Sequence, residues 1–201
     1  MAMNADMSDR FAIRELIENW VVWRDAGDWA RFQTLWHDNG VMSATWFQGP
    51  AADFIRVTKE GWAKGANILH FLGGTAIELV DARAIAQTKM TISQRGDVQG
   101  VLCDVTCTGR FYDFIEKREG RWGLVLRQPV YEKDRVDPVD PAARLDIDPT
   151  LLAEFPRGYQ HLAYIQTQAG YAVKRDLPQL SGPEVERLYA RGQRWLAGDP
   201  L

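Results

Sequence analysis

The period of the hydrophobic pattern changes near residue 66, and this change restricts the folds open to the chain. Before it, apolar residues recur three and four positions apart, as in Ile13, Ile17, Trp20 and Val21. After it, they alternate with polar residues along two long runs, VQGVLCDVTCTGRFYDFIEK and GRWGLVLRQPVYEK. The first spacing is typical of helices and the second of strands with one buried face. Helices followed by an antiparallel sheet, with a hairpin turn predicted at KREG, define an α+β fold.

Three helices are predicted in the N-terminal part of the chain. The first is expected to begin at Ser8, as its N-cap, and to end near Arg24. WARFQTLWHDNG predicts a second helix that ends at Gly40, and Pro50 is placed to begin a third. Between the second and third helices, VMSATWF alternates as a strand does.

Prolines divide the chain near residue 140. The segment DRVDPVDPAARLDIDP places several prolines in an acidic run, which favours the end of a domain. We therefore expect one domain over residues 1–140 and a helical C-terminal extension over residues 141–201. The extension is too short to fold alone, so it is expected to dock on the domain or on a partner subunit.

Composition and charge disfavour several classes of protein. A formal net charge of −3 leaves no basic footprint of the kind that binds nucleic acid. The chain lacks an apolar run of about 18 residues, and MAMNADMSDR lacks the apolar stretch of a signal peptide. A cytoplasmic protein without a membrane partner is therefore expected. The eight tryptophans indicate a large aromatic core or pocket.

Two residues occupy positions that are costly for a polar side chain. Asp25 continues the apolar stripe of the first helix, where an ionised carboxylate needs a partner and opposes the helix dipole. His70 lies within the apolar segment NILHFLGGT. Asp25 could instead turn to solvent or cap the next helix, and His70 could be a histidine satisfied within the core. Together they suggest an Asp–His pair, beside which Gly73 and Gly74 would let the backbone turn away.

The order of predicted elements, with WRDAGDWARFQTLWHDNGVM and LHFLGGT, resembles the SnoaL-like branch of the nuclear-transport-factor-2-like superfamily. Scytalone dehydratases, bile-acid dehydratases and hexachlorocyclohexane dehydrochlorinases are nearest in pattern, over about residues 8 to 136. The resemblance implies a cone-shaped α+β barrel, in which three N-terminal helices pack on a curved, mainly antiparallel sheet that encloses a pocket. It also implies a homodimer or homotrimer.

The resemblance assigns roles to individual residues. The catalytic histidine of these enzymes falls on His70, and its buried carboxylate partner falls on Asp25. Scytalone dehydratases have a tyrosine immediately before this aspartate, where this chain has Arg24. A second pocket histidine falls near Gln94 or Arg95. The substrate is therefore expected to differ from that of scytalone dehydratase.

Five residues are predicted to bind the substrate: Arg24, Trp20, Trp46, Tyr112 and Arg127. Tyr112 and Arg127 lie on neighbouring predicted strands, on a polar face that is either solvated or turned into the cone. In the second case Tyr112 would hydrogen-bond a substrate oxygen, and Arg127 would hold a carboxylate or phenolate. Trp20 and Trp46 either pack in the core or form an aromatic wall for a ring-bearing ligand.

The chemistry predicted from these residues is acid–base catalysis without a cofactor or a metal. The sequence contains no phosphate-binding loop, dinucleotide fingerprint or metal-ligand cluster. In this hypothesis neutral His70, oriented by Asp25, removes a proton from a small aromatic or alicyclic substrate. Loss of water and retro-aldol C–C cleavage both suit such a lyase. An isomerase, an epoxide hydrolase and a non-catalytic ligand-binding protein of the same fold are alternatives.

Overall fold

The computed structural model describes residues 2–201, with side chains from residue 6 onward. Its elements are α1 (Ala2–Ala26), α2 (Trp29–Phe32), β1 (Trp36–Ser43), β2 (Gln48–Pro50), α3 (Ala51–Ala63), β3 (Asn67–Val80), β4 (Arg83–Val98), β5 (Val101–Arg118), β6 (Arg121–Pro138), α4 (Pro149–Ala153), α5 (Gln160–Gln168) and α6 (Pro183–Leu196). A single 3₁₀ turn over Gln33–Leu35 connects α2 to β1. Helices therefore precede most of the sheet, as the hydrophobic pattern predicted.

Helix α1 buries the apolar stripe predicted from the sequence. Ile13, Ile17 and Trp20 are each no more than 1% exposed, because they recur on the face that packs against the sheet. The helix begins at Ala2, so the prediction that Ser8 caps it is wrong. Across residues 2–201, no helix combines the length and the apolar character needed to span a membrane.

The second predicted helix is much shorter than expected. Helix α2 ends at Phe32, and residues 36–43 form strand β1 in place of a helix closed by Gly40. This strand runs parallel to β6, with Trp36 opposite Leu124. Pairing with a strand distant in sequence satisfies the backbone hydrogen bonds of the segment, so tertiary structure overrides its local helical pattern.

Six strands form one sheet in the order β2-β1-β6-β5-β4-β3. Every neighbouring pair is antiparallel except β1 and β6. The hairpin predicted at KREG is confirmed at Glu119 and Gly120, whose φ angles of 50° and 81° suit a tight type I′ turn. Three N-terminal helices on a curved, mainly antiparallel sheet form the cone-shaped α+β barrel that the resemblance implied.

Strand β3 continues through the two glycines that follow His70. It carries an extra residue relative to β4 between Leu72 and Thr75, which is a β-bulge. Gly73 and Gly74 occupy this bulge within the strand, so the prediction that the backbone turns away there is wrong. His70 itself stays in regular register with β4.

The residues after β6 pack on both faces of the sheet. Helix α5 lies on the inner face, where Leu162 and Ile165 join the main hydrophobic core. Helix α6 lies on the outer face, where Leu188 and Trp195 pack with Tyr112 in a second apolar cluster. The sheet is therefore covered on its outer face over the part that α6 crosses.

Candidate active site

Asp25 and His70 are brought together from the end of α1 and the start of β3. The Asp25 carboxylate accepts hydrogen bonds from the backbone N–H of His70 at 2.6 Å and from its ring Nδ1 at 2.9 Å. The His70 side chain is 7% exposed and that of Asp25 is 13% exposed. Asp25 therefore faces the sheet, and the cap of α2 is Asp28, which accepts from the Arg31 N–H.

The contact with Asp25 determines the tautomer of His70. An ionised carboxylate has no hydrogen to donate, so Nδ1 must carry the proton in this hydrogen bond. In the neutral ring the Nε2 atom keeps its lone pair, and it makes no hydrogen bond with any described residue. The ring lies edge-on to Trp20, with centroids 5.3 Å apart and planes at 90°. The basic nitrogen is thus held in a defined orientation.

Burial and nearby charges set the protonation state of the pair. Burial lowers the pKa of His70 below its ordinary value of 6.5; the hydrogen bond to Asp25 raises it, and the charges of Arg24 and Arg127 lower it. Burial raises the pKa of Asp25, but the hydrogen bonds from His70 and the charge of Arg24 outweigh burial and hold that pKa below its usual range. At pH 7 the pair is therefore a neutral imidazole beside an ionised carboxylate.

His70 lines a narrow cavity between the helices and the inner face of the sheet. The cavity is small, with a volume of about 40 Å³. Its wall is mainly aromatic and aliphatic: Trp20, Met42, Trp46, Phe54, Ile92 and Phe111. Such a wall suits a ring-bearing ligand, and its narrowness requires side chains to move when one enters.

Arg24 lies beside the pair and also lines the cavity. Its Nη1 donates to the Asp25 carboxylate and to the Ile68 carbonyl, at 3.1 Å each. Burial lowers the pKa of Arg24 and the charge of Asp25 opposes this, but a guanidinium remains protonated in proteins. The cavity therefore contains a fixed positive charge next to a neutral base.

Arg127 does not line the cavity. It is fully buried, and its guanidinium lies between the rings of Trp20 and Phe111, 4.3 Å and 4.0 Å from their centroids. Its Nε and Nη2 each donate to the Asp113 carboxylate at 2.7 Å. The structure thus pairs Arg127 with a carboxylate of the protein, and the remaining influence of Arg127 on His70 is electrostatic.

Tyr112 lies on the outer face of the sheet, away from the cavity. It is 1% exposed and packs against Phe114 and Tyr189 beneath α6. The prediction that Tyr112 turns into the cone and hydrogen-bonds a substrate oxygen is therefore wrong. Neighbouring residues of a strand point to opposite faces, so Phe111 faces the cavity in its place.

Several lining residues were not singled out by sequence reasoning. Gln166 of α5 lines the cavity, and its Oε1 accepts from the Thr45 hydroxyl at 2.6 Å. Of the two positions at which the resemblance placed a second pocket histidine, Gln94 lines the cavity from β4, whereas Arg95 pairs with Asp104. Gln166 is one of several polar residues of α5, so the sequence did not mark it, and only the docking of α5 shows what it faces.

The other two histidines lie outside the cavity. His37 is buried in β1, with Nε2 hydrogen-bonded to the Glu116 carbonyl at 2.9 Å. His161 Nδ1 lies 2.9 Å from the carboxylate of Asp134, which also accepts from the Leu162 N–H. The chain thus contains a second histidine–aspartate pair, but this one fastens α5 to β6 and does not face a ligand-sized space.

A curved sheet closed by helices around an apolar cavity is the architecture that the sequence resemblance implied. Two solved structures share the fold. A putative scytalone dehydratase from Novosphingobium aromaticivorans is 16% identical with a TM-score of 0.57, covering 72% of this chain and 99% of that one. LinA is 15% identical with a TM-score of 0.58, covering 74% of this chain and 100% of that one.

The chain belongs to the SnoaL-like domain family, which matches residues 5–128. Among its relatives, pea pathogenicity protein 2 of Fusarium vanettenii is 37% identical over 205 residues. That similarity covers 96% of this chain and 88% of the relative, so it includes most of the C-terminal extension as well as the barrel.

Proposed function

We propose that this protein is a cofactor-independent lyase that acts on a small aromatic or alicyclic substrate. One observation carries the proposal: the Asp25 carboxylate holds Nδ1 of His70, Nε2 has no hydrogen-bond partner among the described residues, and His70 lines a mainly apolar cavity. A positioned base of this kind suits proton abstraction. The fold shared with a putative scytalone dehydratase and with LinA supports a lyase or an isomerase.

In the proposed dehydration, Nε2 of His70 takes a proton from a carbon of the substrate. The electrons of the broken C–H bond form a new double bond, and the C–O bond to a neighbouring hydroxyl breaks. The imidazolium, stabilised by Asp25, returns the proton to the departing oxygen, so water leaves and the histidine is neutral again. A retro-aldol cleavage would begin at a hydroxyl proton instead. General-base catalysis contributes about 10²–10⁴-fold, and positioning in the cavity supplies the rest.

The alternatives use the same cavity differently. An isomerase would return the proton to carbon, but Tyr112, the donor expected for it, lies on the outer face of the sheet. An epoxide hydrolase would need several polar groups around one water molecule. A non-catalytic binding protein would use the cavity without the pair. No specific observation favours any of these over the lyase.

Turnover of cyclic β-hydroxy ketones tests the proposal, because these compounds combine an acidic C–H group with a neighbouring hydroxyl. Enone formation is followed by absorbance for the native protein, His70→Ala and His161→Ala. The native protein should convert at least one of several cyclic β-hydroxy ketones to its enone. In His70→Ala the rate of this conversion should fall by about 10²-fold or more. His161→Ala is the matched control, because it removes the other aspartate-paired histidine, and it should retain activity. Ligand binding without turnover in the native protein would favour the non-catalytic alternative.

Self-association as a homodimer or homotrimer, and a cytoplasmic location, stay predictions of the sequence. Sedimentation velocity of the full chain tests the first, and a single species at the mass of one chain would contradict it.

A further inference from the structure

Arg24 has more hydrogen-bond donors than its neighbours use. A guanidinium carries five N–H groups in a planar fork. Its Nη1 donates to Asp25 and to the Ile68 carbonyl. Its Nε is buried without a partner, and its Nη2 makes no hydrogen bond with any described residue. Since Arg24 is only 5% exposed, bulk water has little access to these unused groups.

The unused edge of Arg24 is the one that binds carboxylates elsewhere in this protein. Arg127 holds Asp113 through Nε and Nη2, both at 2.7 Å. Arg95 holds Asp104 through the same two atoms, at 2.7 Å and 2.6 Å. This bidentate arrangement matches the two oxygens of a carboxylate. Arg24 offers the same edge without a carboxylate of the protein opposite it.

Arg24 lies where two cavities meet. It lines the cavity of His70 and also a second cavity of about 50 Å³ between α3 and α5. The two cavities share Trp46, Ile68, Gln94 and Gln166 as well. The shared rim therefore adds one positive charge and two amide groups to a wall that is otherwise mainly aromatic and aliphatic. A ring compound with an acidic group would match both parts.

The charge of Arg24 is only partly compensated. The Asp25 carboxylate is the one acidic group within 4.0 Å of it among the described side chains, and that carboxylate also accepts two hydrogen bonds from His70. A neutral carbonyl oxygen would accept from only one of the two free N–H groups of this edge. The two oxygens of a carboxylate would accept from both Nε and Nη2 and would add a charge-assisted interaction.

We propose that Arg24 binds a carboxylate of the substrate through Nε and Nη2, so that the substrate is a ring compound bearing a carboxylate. This inference rests on one part of the proposed function, namely that the substrate binds in the cavity of His70. It does not depend on which reaction follows, because Arg24 would bind the carboxylate before any proton moves.

Benzoate and benzamide test the inference, since they are nearly isosteric and only benzoate is an anion at pH 7. Binding to the full chain is measured by tryptophan fluorescence and by NMR of the His70 ring. Native protein should bind benzoate about tenfold or more tightly than benzamide. Arg24→Gln should abolish this preference. Arg24→Lys keeps the charge and loses the fork, so it should retain only part of the preference.

Arg95→Gln is the matched control, because it removes an equivalent fork from the surface and should leave the preference intact. If Arg24→Gln fails to fold, the partial loss in Arg24→Lys decides the question. Three results would overturn the inference: equal affinity for the two probes, no detectable benzoate binding, or a full preference in a folded Arg24 variant.

The inference and the proposed function fail separately. His70→Ala should lose turnover and keep the preference for benzoate. A preference in native protein that shows no turnover would reject the lyase and leave the role of Arg24 standing. Turnover of neutral cyclic ketones without any preference for benzoate would reject the role of Arg24 alone.

Discussion

The Asp25 carboxylate holds His70 at two points, the backbone N–H at 2.6 Å and the ring Nδ1 at 2.9 Å. The first hydrogen bond ties the end of α1 to strand β3, and the second ties the imidazole to the same carboxylate. The ring orientation and the tautomer of His70 therefore depend on the docking of α1 on the sheet.

Asp25→Asn should lower the pKa of His70 further, because the carboxylate charge and its hydrogen bond both raise that pKa. Turnover should fall by about 100-fold or more, since asparagine has one acceptor oxygen for the two N–H groups of His70 that Asp25 binds, and its NH₂ group favours the other tautomer. NMR titration of the three histidines measures the first effect. Asp134→Asn, which acts on His161, should leave the His70 titration in place. A His70 titration identical in native protein and Asp25→Asn would contradict the pair.

Unfolding stability should decrease as the pH falls below about 6.5. The pKa values of His70 and His37 are both lowered, mainly by burial, so the unfolded chain takes up protons that the folded chain does not. For each of these histidines the free energy of unfolding falls by at most about 1.4 kcal/mol per pH unit. This fall occurs between the pKa of the histidine in the unfolded chain and its lower pKa in the folded protein. Urea unfolding between pH 7.5 and 5.5 measures it. The free energy of unfolding of His70→Gln should depend less on pH than that of the native protein. An equal pH dependence would contradict the lowered pKa of His70.

Asp113→Ala should destabilise the protein by about 3–5 kcal/mol, because it leaves the buried Arg127 charge without a partner. Both side chains are 0% exposed. Replacing both members, as in Asp113→Leu with Arg127→Met, should recover much of the loss. Urea unfolding measures these free energies.

The exposed pair of Arg95 and Asp104 supplies the control for this change. It has the same bidentate geometry, with N–O distances of 2.7 Å and 2.6 Å, but solvent screens it. Asp104→Ala should therefore cost far less than Asp113→Ala. Similar losses in the two variants would mean that burial does not determine the effect.

Gly192→Ala should destabilise the protein, although alanine favours helices more than glycine does. A Cβ at this position of α6 would overlap the Tyr112 hydroxyl, and Tyr112 is 1% exposed and closely packed. Overpacking of this kind costs about 1–3 kcal/mol, more than the helix propensity returns. Thermal unfolding by circular dichroism measures the change. Arg194→Ala, on the exposed side of α6, should have little effect, and stabilisation by Gly192→Ala would disprove the close contact.

Deletion of residues 146–201 should make the protein insoluble or unfolded. It would uncover the inner core beside Leu162 and Ile165 and the outer cluster beside Trp195. Each buried apolar side chain contributes about 1.5–3 kcal/mol, so the combined loss exceeds the stability of most domains. Deletion of residues 182–201 removes α6 alone and should be less damaging. Unchanged solubility and melting of the shorter chain would contradict docking of the extension.

The parts of the site that could be predicted from sequence are polar residues in apolar segments, where burial of the side chain costs free energy unless it has a partner. Asp25 continues an apolar stripe and His70 lies in an apolar run, so both needed an explanation before any fold was known. Arg127 and Tyr112 do not lie in such segments. Alternation along a strand separates two faces but does not say which face meets the cavity.

The sequence by itself determined the α+β class, the buried stripe of α1 and the hairpin at Glu119 and Gly120, because each depends on spacing within one segment. Only the tertiary structure decided that residues 36–43 form a strand, since that strand exists by pairing with β6. The tertiary structure also decided the surroundings of Tyr112. Helix α6 buries the outer face of the sheet there. Because both faces are buried, the alternation of residues along the strand no longer distinguishes a buried face from an exposed face. Partners distant in sequence supply the hydrogen bonds and the burial in each case, and no local pattern specifies them.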